Sequence, residues 1–137
     1  MGTIGYTTGV FDLFHIGHLN ILRRARMDCD YLIVGITTDE LSENVKGKRP
    51  IIPFPERMEI VEAIRFVDDV VPQTSYDKWE AWNNLKFDIM FVGDDWRGTE
   101  KWTRLEHDFA EVGVSIHYFP YTQHTSSTKL REVLEKL

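Results

Sequence analysis

Short apolar runs separated by longer mixed segments are the main pattern of this 137-residue chain. The runs are rich in Val, Ile, Phe and Tyr, and they lie at residues 4–11, 30–38, 68–72, 88–95 and 114–119. The second and fourth are nearly continuous apolar runs, which is typical of strands buried on both faces of a parallel sheet. The pattern therefore predicts five strands.

The segments between these runs have the spacing of amphipathic helices. Apolar residues recur at steps of three and four through 102–112, where Gly113 is placed as a C-terminal stop, and again through 130–137. Pro55 suits the first position of a helix over 56–66. The longest connection runs from about 39 to 54, and a loop of that length is usually functional or mobile.

Strand and helix alternate five times along the chain. This order predicts right-handed crossovers and a Rossmann-like, doubly wound α/β fold with five mainly parallel strands. Because no repeat or long linker interrupts it, we expect one domain over residues 1–137. Ligands bind such sheets at the carboxyl ends of the strands, so the residues that directly follow strands are the candidates for a site.

Composition narrows the class of protein. The net charge of −6 argues against a general nucleic-acid binder, which needs an extended basic surface. No apolar stretch approaches the roughly 20 residues of a membrane span, and the N-terminus has no secretory-signal pattern. Cys29 is the single cysteine, which excludes an internal disulfide. We expect a cytoplasmic protein without membrane insertion or a nucleic-acid partner.

Two histidines follow the first predicted strand. His15 and His18 flank Gly17 where the next helix begins, and a helix N-terminus attracts anions. The glycine allows the backbone to approach a ligand closely. No zinc pattern forms, because Cys29 is alone and the other histidines are far along the chain. A core histidine is the alternative, but the arrangement favours phosphate binding.

A basic cluster lies in the long connection. Lys46, Lys48 and Arg49 are followed by Arg57 and Arg65. They provide local positive charge for a phosphorylated ligand, and a solvated surface loop is the alternative. The first turn has no G-x-G-x-x-G and the chain has no Walker A loop, which argues against hydride transfer and a P-loop kinase.

These motifs resemble those of a known family. GVFDLFHIGH resembles the (T/H)xGH signature of the nucleotidylyltransferase superfamily, whose class I aminoacyl-tRNA synthetases are far longer than this chain. Over nearly its full length the chain is similar to bacterial glycerol-3-phosphate cytidylyltransferases. Five stretches carry this resemblance in the same order: GVFDLFHIGH, KGKRP, ERMEIVEAIRFVDDVVP, FVGDDWRG and SSTKLRE.

The resemblance implies a reaction and a set of site residues. CTP and a phosphorylated alcohol, with Mg²⁺ accompanying the triphosphate, would give a CDP-alcohol and pyrophosphate by in-line attack on the α-phosphorus. The catalytic residues would be His15, His18 and Lys46. The nucleotide would contact Thr8, Gly9, Val10, Phe11, Gly17, Lys48, Gly93, Asp94, Tyr121, Thr122, Ser126, Ser127 and Thr128. The acceptor would contact Lys46, Lys78, Arg57 and Trp96. No protein ligand for a metal is assigned, and a homodimer with RFVDDVVP in its interface is implied.

Several of these residues have ordinary structural alternatives. Ser126 or Ser127 can simply cap the last helix, and Asp94 or Asp95 can cap the helix that follows. Asp12 can orient one histidine or serve as a turn carboxylate. Arg57 can form a structural ion pair, Trp96 can pack in the core, and Lys78 can be a solvated surface side chain.

The last motif departs from the family pattern. An arginine and a glycine of the related cytidylyltransferases are replaced by Tyr121 and His124. The ending SSTKLR also resembles adenylyl-transferring relatives, so ATP as donor stays open. Ethanolamine phosphate, a polyol phosphate, heptose 1-phosphate and FMN remain alternative acceptors. A nucleotide-binding module without turnover, or a His-ligated metalloprotein, would be the other classes.

Overall fold

A computed structural model describes residues 2–120 and 126–137 of the chain. The strands are β1 (Ile4–Gly9), β2 (Tyr31–Thr37), β3 (Asp69–Gln73), β4 (Ile89–Gly93) and β5 (Ser115–Phe119). The helices are α1 (Ile16–Met27), α2 (Asp39–Lys46), α3 (Phe54–Glu62), α4 (Lys78–Leu85), α5 (Glu100–Ala110) and α6 (Ser127–Glu135). A 3₁₀ turn spans Asp94–Trp96.

The strands form one parallel sheet in the order β3-β2-β1-β4-β5. The chain builds outward from β1 through β2 to β3 and then returns to place β4 on the other side of β1. The strand order therefore reverses between β1 and β4, and the carboxyl ends of these strands mark the switch point. The predicted doubly wound α/β fold is confirmed.

Two apolar clusters lie on opposite faces of the sheet, because successive strand side chains alternate between faces. The first core contains Leu22 of α1 and Val61 of α3 packed against strand residues such as Phe91. The second core contains Met90, the neighbour of Phe91, packed against α4 and against Phe109 of α5. Helices α1 and α3 thus cover one face and helices α4 and α5 cover the other.

The prediction of an unstructured connection over 39–54 was wrong, because this segment contains α2. The Thr38 side chain accepts a hydrogen bond from the Leu41 N–H, and Gly47 ends the helix in the left-handed region at φ 75°. The predicted helix over 56–66 instead begins at Phe54 and ends at Glu62, with Pro55 in its first turn. Within the described residues, no helix is long and apolar enough to cross a bilayer.

Candidate active site

A cleft of about 980 Å³ opens at the carboxyl ends of the strands. It crosses the switch point between β1 and β4, where a doubly wound sheet is expected to bind its ligand. Most of the residues predicted from the sequence line it: Thr8, Gly9, Val10, Phe11, His18, Lys46, Lys48, Lys78, Gly93, Trp96, Ser127 and Thr128. His15, Gly17, Arg57, Asp94 and Ser126 lie outside the lining.

The turn from β1 to α1 has an unusual backbone. Phe11 and Leu13 have φ values of 53° and 51°, in the left-handed region that residues with a Cβ seldom adopt. A Cβ at Gly9 would lie 2.8 Å from a ring carbon of Phe11, so the absence of a side chain there makes room for the ring. Such strained positions cluster at functional sites, and the sequence provided no direct signal for them.

The histidine spacing forms a reciprocal cap at the start of α1. His15 is the N-cap residue, and its Nδ1 accepts a hydrogen bond of 2.9 Å from the Gly17 N–H. The Nδ1 of His18 accepts a hydrogen bond of 3.2 Å from the His15 N–H. A neutral imidazole that accepts at Nδ1 carries its proton at Nε2. Both rings therefore have a defined tautomer whose Nε2–H is a donor.

His18 directs this donor toward the start of α6. Its Nε2 lies 3.4 Å from the Ser127 hydroxyl, which itself donates to the Asp12 carbonyl oxygen at 2.6 Å. Burial and the charge of nearby His15 lower the pKa of His18 to about 4, although the Asp12 carboxylate opposes this change. Burial also lowers the pKa of His15. At neutral pH the pair consists of uncharged hydrogen-bond donors.

The two serines at the start of α6 have different roles. Ser126 is the N-cap residue, and its hydroxyl accepts from the Lys129 N–H at 3.1 Å. Ser127 instead lines the cleft and contacts the Asp12 and His18 groups described above. The N-termini of α1 and α6 therefore lie side by side, and the N-terminus of a helix attracts anionic phosphates.

Asp12 does not orient a histidine through its carboxylate. The two carboxylate oxygens accept from the Ile51 and Ile52 N–H groups, each at 2.8 Å. Arg131, which also lines the cleft, lies 3.4 Å from this carboxylate and donates to the Arg49 carbonyl oxygen at 2.8 Å. Asp12 thus fastens the segment after Lys48 to the histidine turn, and Arg131 is a contributor that our assignment of sites had omitted.

Arg57 forms a buried ion pair, which is the structural alternative to contact with the acceptor substrate. Its side chain has no exposed surface, and it donates to the carbonyl oxygens of Val10, Thr37 and Ile52 and to the Asp39 carboxylate. Partial burial raises the pKa of Asp39, but hydrogen bonds from Arg57 and the Phe54 N–H lower it below its ordinary value. A guanidinium with all of these partners cannot reach a phosphorylated substrate in the cleft. We therefore remove Arg57 from the residues assigned to the acceptor substrate.

The cleft is rich in cations although the protein is acidic. Five basic side chains line it, together with His18: Lys46, Lys48, Lys78, Lys101 and Arg131. The lining carboxylates are Asp12, Glu132 and Glu135, and Glu135 lies 3.9 Å from Lys48. Lys101, in the first turn of α5, is a second residue that the sequence motifs did not indicate.

The segment after β4 forms the 3₁₀ turn at the mouth of the cleft. Asp94 and Asp95 are exposed and do not cap α5, whose N-cap is Thr99. Trp96 is 49% exposed and lines the cleft, so packing does not account for this side chain. Our candidates Tyr121 and Thr122 lie outside the described residues.

Among the described residues, acidic and histidine side chains are not grouped in a way that would hold a metal ion. Within residues 2–120 and 126–137, no three His, Cys, Asp or Glu groups form a potential metal site.

Comparisons with known proteins agree with this geometry. The family model described as cytidylyltransferase-like matches residues 6–133. The glycerol-3-phosphate cytidylyltransferase of Bacillus subtilis (strain 168) is 36% identical over 132 residues, which cover 96% of each chain. The FAD synthase of Thermococcus sibiricus is 30% identical over 132 residues, 96% of this chain and 89% of the relative.

Solved structures share the fold. A lipopolysaccharide core biosynthesis protein from Thermoplasma volcanium GSS1 superimposes with a TM-score of 0.74 at 24% identity, covering 91% of this chain and 100% of that one. Three observations agree on the family of this chain: the sheet order, the capped histidine pair at the switch point and the family match over residues 6–133. The chain belongs to the cytidylyltransferase-like family.

Proposed function

We propose that the protein transfers CMP from CTP to a small phosphorylated alcohol, with glycerol 3-phosphate as the acceptor. The products are CDP-glycerol and pyrophosphate. The observation that carries this proposal is the junction of the α1 and α6 N-termini, where the His18 Nε2 lies 3.4 Å from Ser127 beside a cationic cleft. The names of the relatives from Bacillus subtilis and Staphylococcus aureus, 36% and 35% identical, support the choice of substrates.

The reaction needs positioning and electrostatic stabilisation more than covalent chemistry. A phosphate oxygen of the acceptor forms a bond to the α-phosphorus, and the bond from that phosphorus to the bridging oxygen of pyrophosphate breaks. The leaving pyrophosphate takes the electron pair, and no proton has to move when the acceptor is a dianion. The Nε2–H of His18 donates to the phosphoryl oxygens as their charge increases, and Lys46 and Lys48 balance that charge.

We assign the nucleotide to the side of the cleft formed by α1 and α6. A triphosphate there would accept hydrogen bonds from the N-termini of both helices, near His18 and Ser127. His15 supports this site by capping α1 and packing against the His18 ring, with 4.1 Å between ring centroids. Trp96 and Gly93, at the end of β4, are the proposed contacts for the remainder of the substrates.

Mg²⁺ is proposed as the cofactor that accompanies the triphosphate. The described residues contain no metal cluster, and the basic side chains of the cleft suit phosphate oxygens better than a bare cation. The ion would supply further neutralisation of the phosphate charge. Loss of activity in excess chelator, with recovery when Mg²⁺ is restored, is the expected result, and undiminished turnover in chelator would exclude this cofactor.

A homodimer in the cytoplasm is part of the same proposal. The RFVDDVVP stretch supports it only in part, because Asp68 within that stretch already pairs with Arg26 at 3.2 Å in the same chain. Sedimentation equilibrium should give twice the 16.1 kDa chain mass. A single-chain mass at micromolar concentration would contradict the dimer without affecting the proposed chemistry.

The substrates are tested by pyrophosphate release with Mg²⁺. CTP and ATP are each combined with glycerol 3-phosphate, ethanolamine phosphate, a polyol phosphate, heptose 1-phosphate and FMN. We expect turnover with CTP and glycerol 3-phosphate. Turnover only with ATP and FMN would favour the activity named for the Thermococcus relative. Nucleotide binding without turnover of any pair would support a binding module instead.

A further inference from the structure

Gln73, at the carboxyl end of β3, is a buried polar side chain that the proposed mechanism does not use. It is 5% exposed, and its Oε1 accepts a hydrogen bond of 2.8 Å from the Thr37 hydroxyl at the end of β2. The two residues are partners in the sheet register, and both line the cleft. The Thr37 hydroxyl therefore fixes the orientation of the carboxamide by binding its oxygen.

The nitrogen of the same carboxamide remains available to a ligand. A carboxamide NH₂ group provides two donors, and no partner for the Gln73 Nε2 is found among the described residues. Within that part of the chain, no buried side-chain nitrogen or oxygen lacks a hydrogen-bond partner. A nitrogen that is neither paired nor enclosed must face the cleft that Gln73 lines. The fold thus presents an oriented, neutral donor to the cleft.

This donor lies away from the proposed nucleotide site. The sheet order places β3 two strand spacings, about 10 Å, from β1, and β4 lies beyond β1. The proposed nucleotide has its triphosphate beside His18 and continues toward Gly93 at the end of β4. The part of the cleft over β2 and β3 is therefore left for the second substrate, the acceptor.

Two threonine hydroxyls share the face of the sheet from which Gln73 projects. Thr8 is the register partner of Gly35, and Thr37, two residues after Gly35, is the partner of Gln73. Because side chains two positions apart in a strand lie on the same face, Thr8, Thr37 and Gln73 form a row across three strands. All three line the cleft, and none of them carries a charge.

Among the described residues, no carboxylate belongs to this row. The acidic side chains that line the cleft are Asp12, Glu132 and Glu135. Both carboxylate oxygens of Asp12 accept backbone hydrogen bonds, and the two glutamates lie on α6, which contacts the histidine turn. An ammonium group over β2 and β3 would therefore meet the Gln73 N–H donor without a negative charge to balance its own.

A hydroxyl group suits this surface because it can both accept from the Gln73 Nε2–H and donate to an oxygen. We infer that Gln73, oriented by Thr37, binds a hydroxyl of the acceptor and makes the enzyme select phosphorylated polyols over phosphorylated amino alcohols. This inference rests on the proposed function, and it assigns the choice of substrate class to one side chain.

The first test removes the amide and the substrate hydroxyls separately. Glycerol 3-phosphate and propyl phosphate differ only in their hydroxyls, so the ratio of their kcat/KM values with CTP measures hydroxyl recognition. We expect a ratio of about tenfold or more for the unaltered protein, because the analogue leaves a polar group unpaired. Gln73→Met should lower this ratio about fivefold or more and change kcat/KM for propyl phosphate less than about twofold. An equal loss with both acceptors would indicate a structural role alone and overturn the inference.

Gln73→Glu is the matched variant, because its carboxylate can still accept from the Thr37 hydroxyl but replaces the amide donor with a negative charge. Its preference for ethanolamine phosphate relative to glycerol 3-phosphate should rise about tenfold or more, since the ammonium gains a charged partner. An unchanged preference would contradict selection at this position. A changed discrimination between CTP and its 2′-deoxy analogue in either variant would instead assign Gln73 to the ribose and overturn the inference.

A binding measurement separates this inference from the proposed function. Nuclear magnetic resonance identifies the side-chain NH₂ signals of Gln73 by their absence from Gln73→Met, and glycerol 3-phosphate or propyl phosphate is then added at equal concentration. Glycerol 3-phosphate should shift these signals clearly, and propyl phosphate should shift them much less. That result supports the inference even if no pair of substrates turns over. Equal shifts with both phosphates, or no shift with either, would overturn it.

Discussion

The histidine pair shows how one residue spacing serves both folding and chemistry. In a capping box, two side chains three positions apart at the start of a helix each accept a hydrogen bond from a backbone N–H of that first turn. Here His15 and His18 use Nδ1 for this purpose, and the commitment of Nδ1 leaves Nε2–H as the donor. The cap therefore fixes the orientation and the tautomer of a side chain that contacts the cleft.

Nuclear magnetic resonance of the ring nitrogens tests this arrangement. In the folded protein both histidines should have the Nε2–H tautomer, and the pKa of His18 should be about 4. The same ring should titrate near 6.5 in urea-unfolded protein. An Nδ1–H tautomer, or titration of folded His18 near 6.5, would be inconsistent with the capped pair.

The same pKa change predicts how acid affects stability. Because the folded value for His18 lies below the unfolded value, the unfolded chain binds more protons between about pH 6.5 and 4. The stability supplied by the neutral ring is complete above about pH 6.5 and is lost as the pH falls toward 4. His18→Gln should make urea unfolding less dependent on pH across this interval; an identical dependence in both proteins would contradict the assignment.

At the scale of elements, the local pattern of apolar residues predicts the strands, but it does not predict which distant segments contact each other. The apolar runs placed all five strands within a few residues of their bounds, because burial on both faces leaves a continuous signal. The apolar pattern does not predict helix α2, although Thr38 and Gly47 are good cap residues, because the basic residues near its end are typical of a solvated loop. Its caps were the signal that could have found it.

Hydrogen bonds between residues far apart in the chain have no comparable signal in the sequence. The Asp12 carboxylate binds N–H groups 39 and 40 positions away, and Arg57 donates to a carbonyl oxygen 47 positions away. Such contacts depend on how crossovers return to the sheet, which spacing alone does not encode. For this reason the sequence indicated the importance of both residues and left their roles open.

Arg57 should accordingly be a determinant of stability. Its guanidinium joins the end of β1, the end of β2 and the segment before α3, so Arg57→Met would leave the Asp39 carboxylate and three carbonyl oxygens without this donor. We expect a loss of about 3 kcal/mol in the free energy of unfolding, measured by urea denaturation. Arg104→Met, at an exposed position on α5, is the control and should cost less than about 0.5 kcal/mol. Equal stability of the two variants would refute the structural role.

At the scale of the whole molecule, an acidic protein concentrates positive charge at one edge of its sheet. The net charge is −6, yet five basic side chains and two helix N-termini surround the switch point. This distribution favours small phosphorylated substrates that enter the cleft over an extended polyanion that needs a continuous basic surface. The fold thus places its positive charge where a phosphorylated substrate would enter the cleft.

The most direct measurement of this proposal is the turnover of His18→Ala with CTP and glycerol 3-phosphate. The unaltered protein should form CDP-glycerol, and the variant should keep the same circular dichroism spectrum while its kcat falls about a hundredfold or more, as expected when a donor to the transition state is lost. A kcat within twofold of the unaltered value would show that the capped histidine pair takes no part in the chemistry, and would contradict the proposed mechanism.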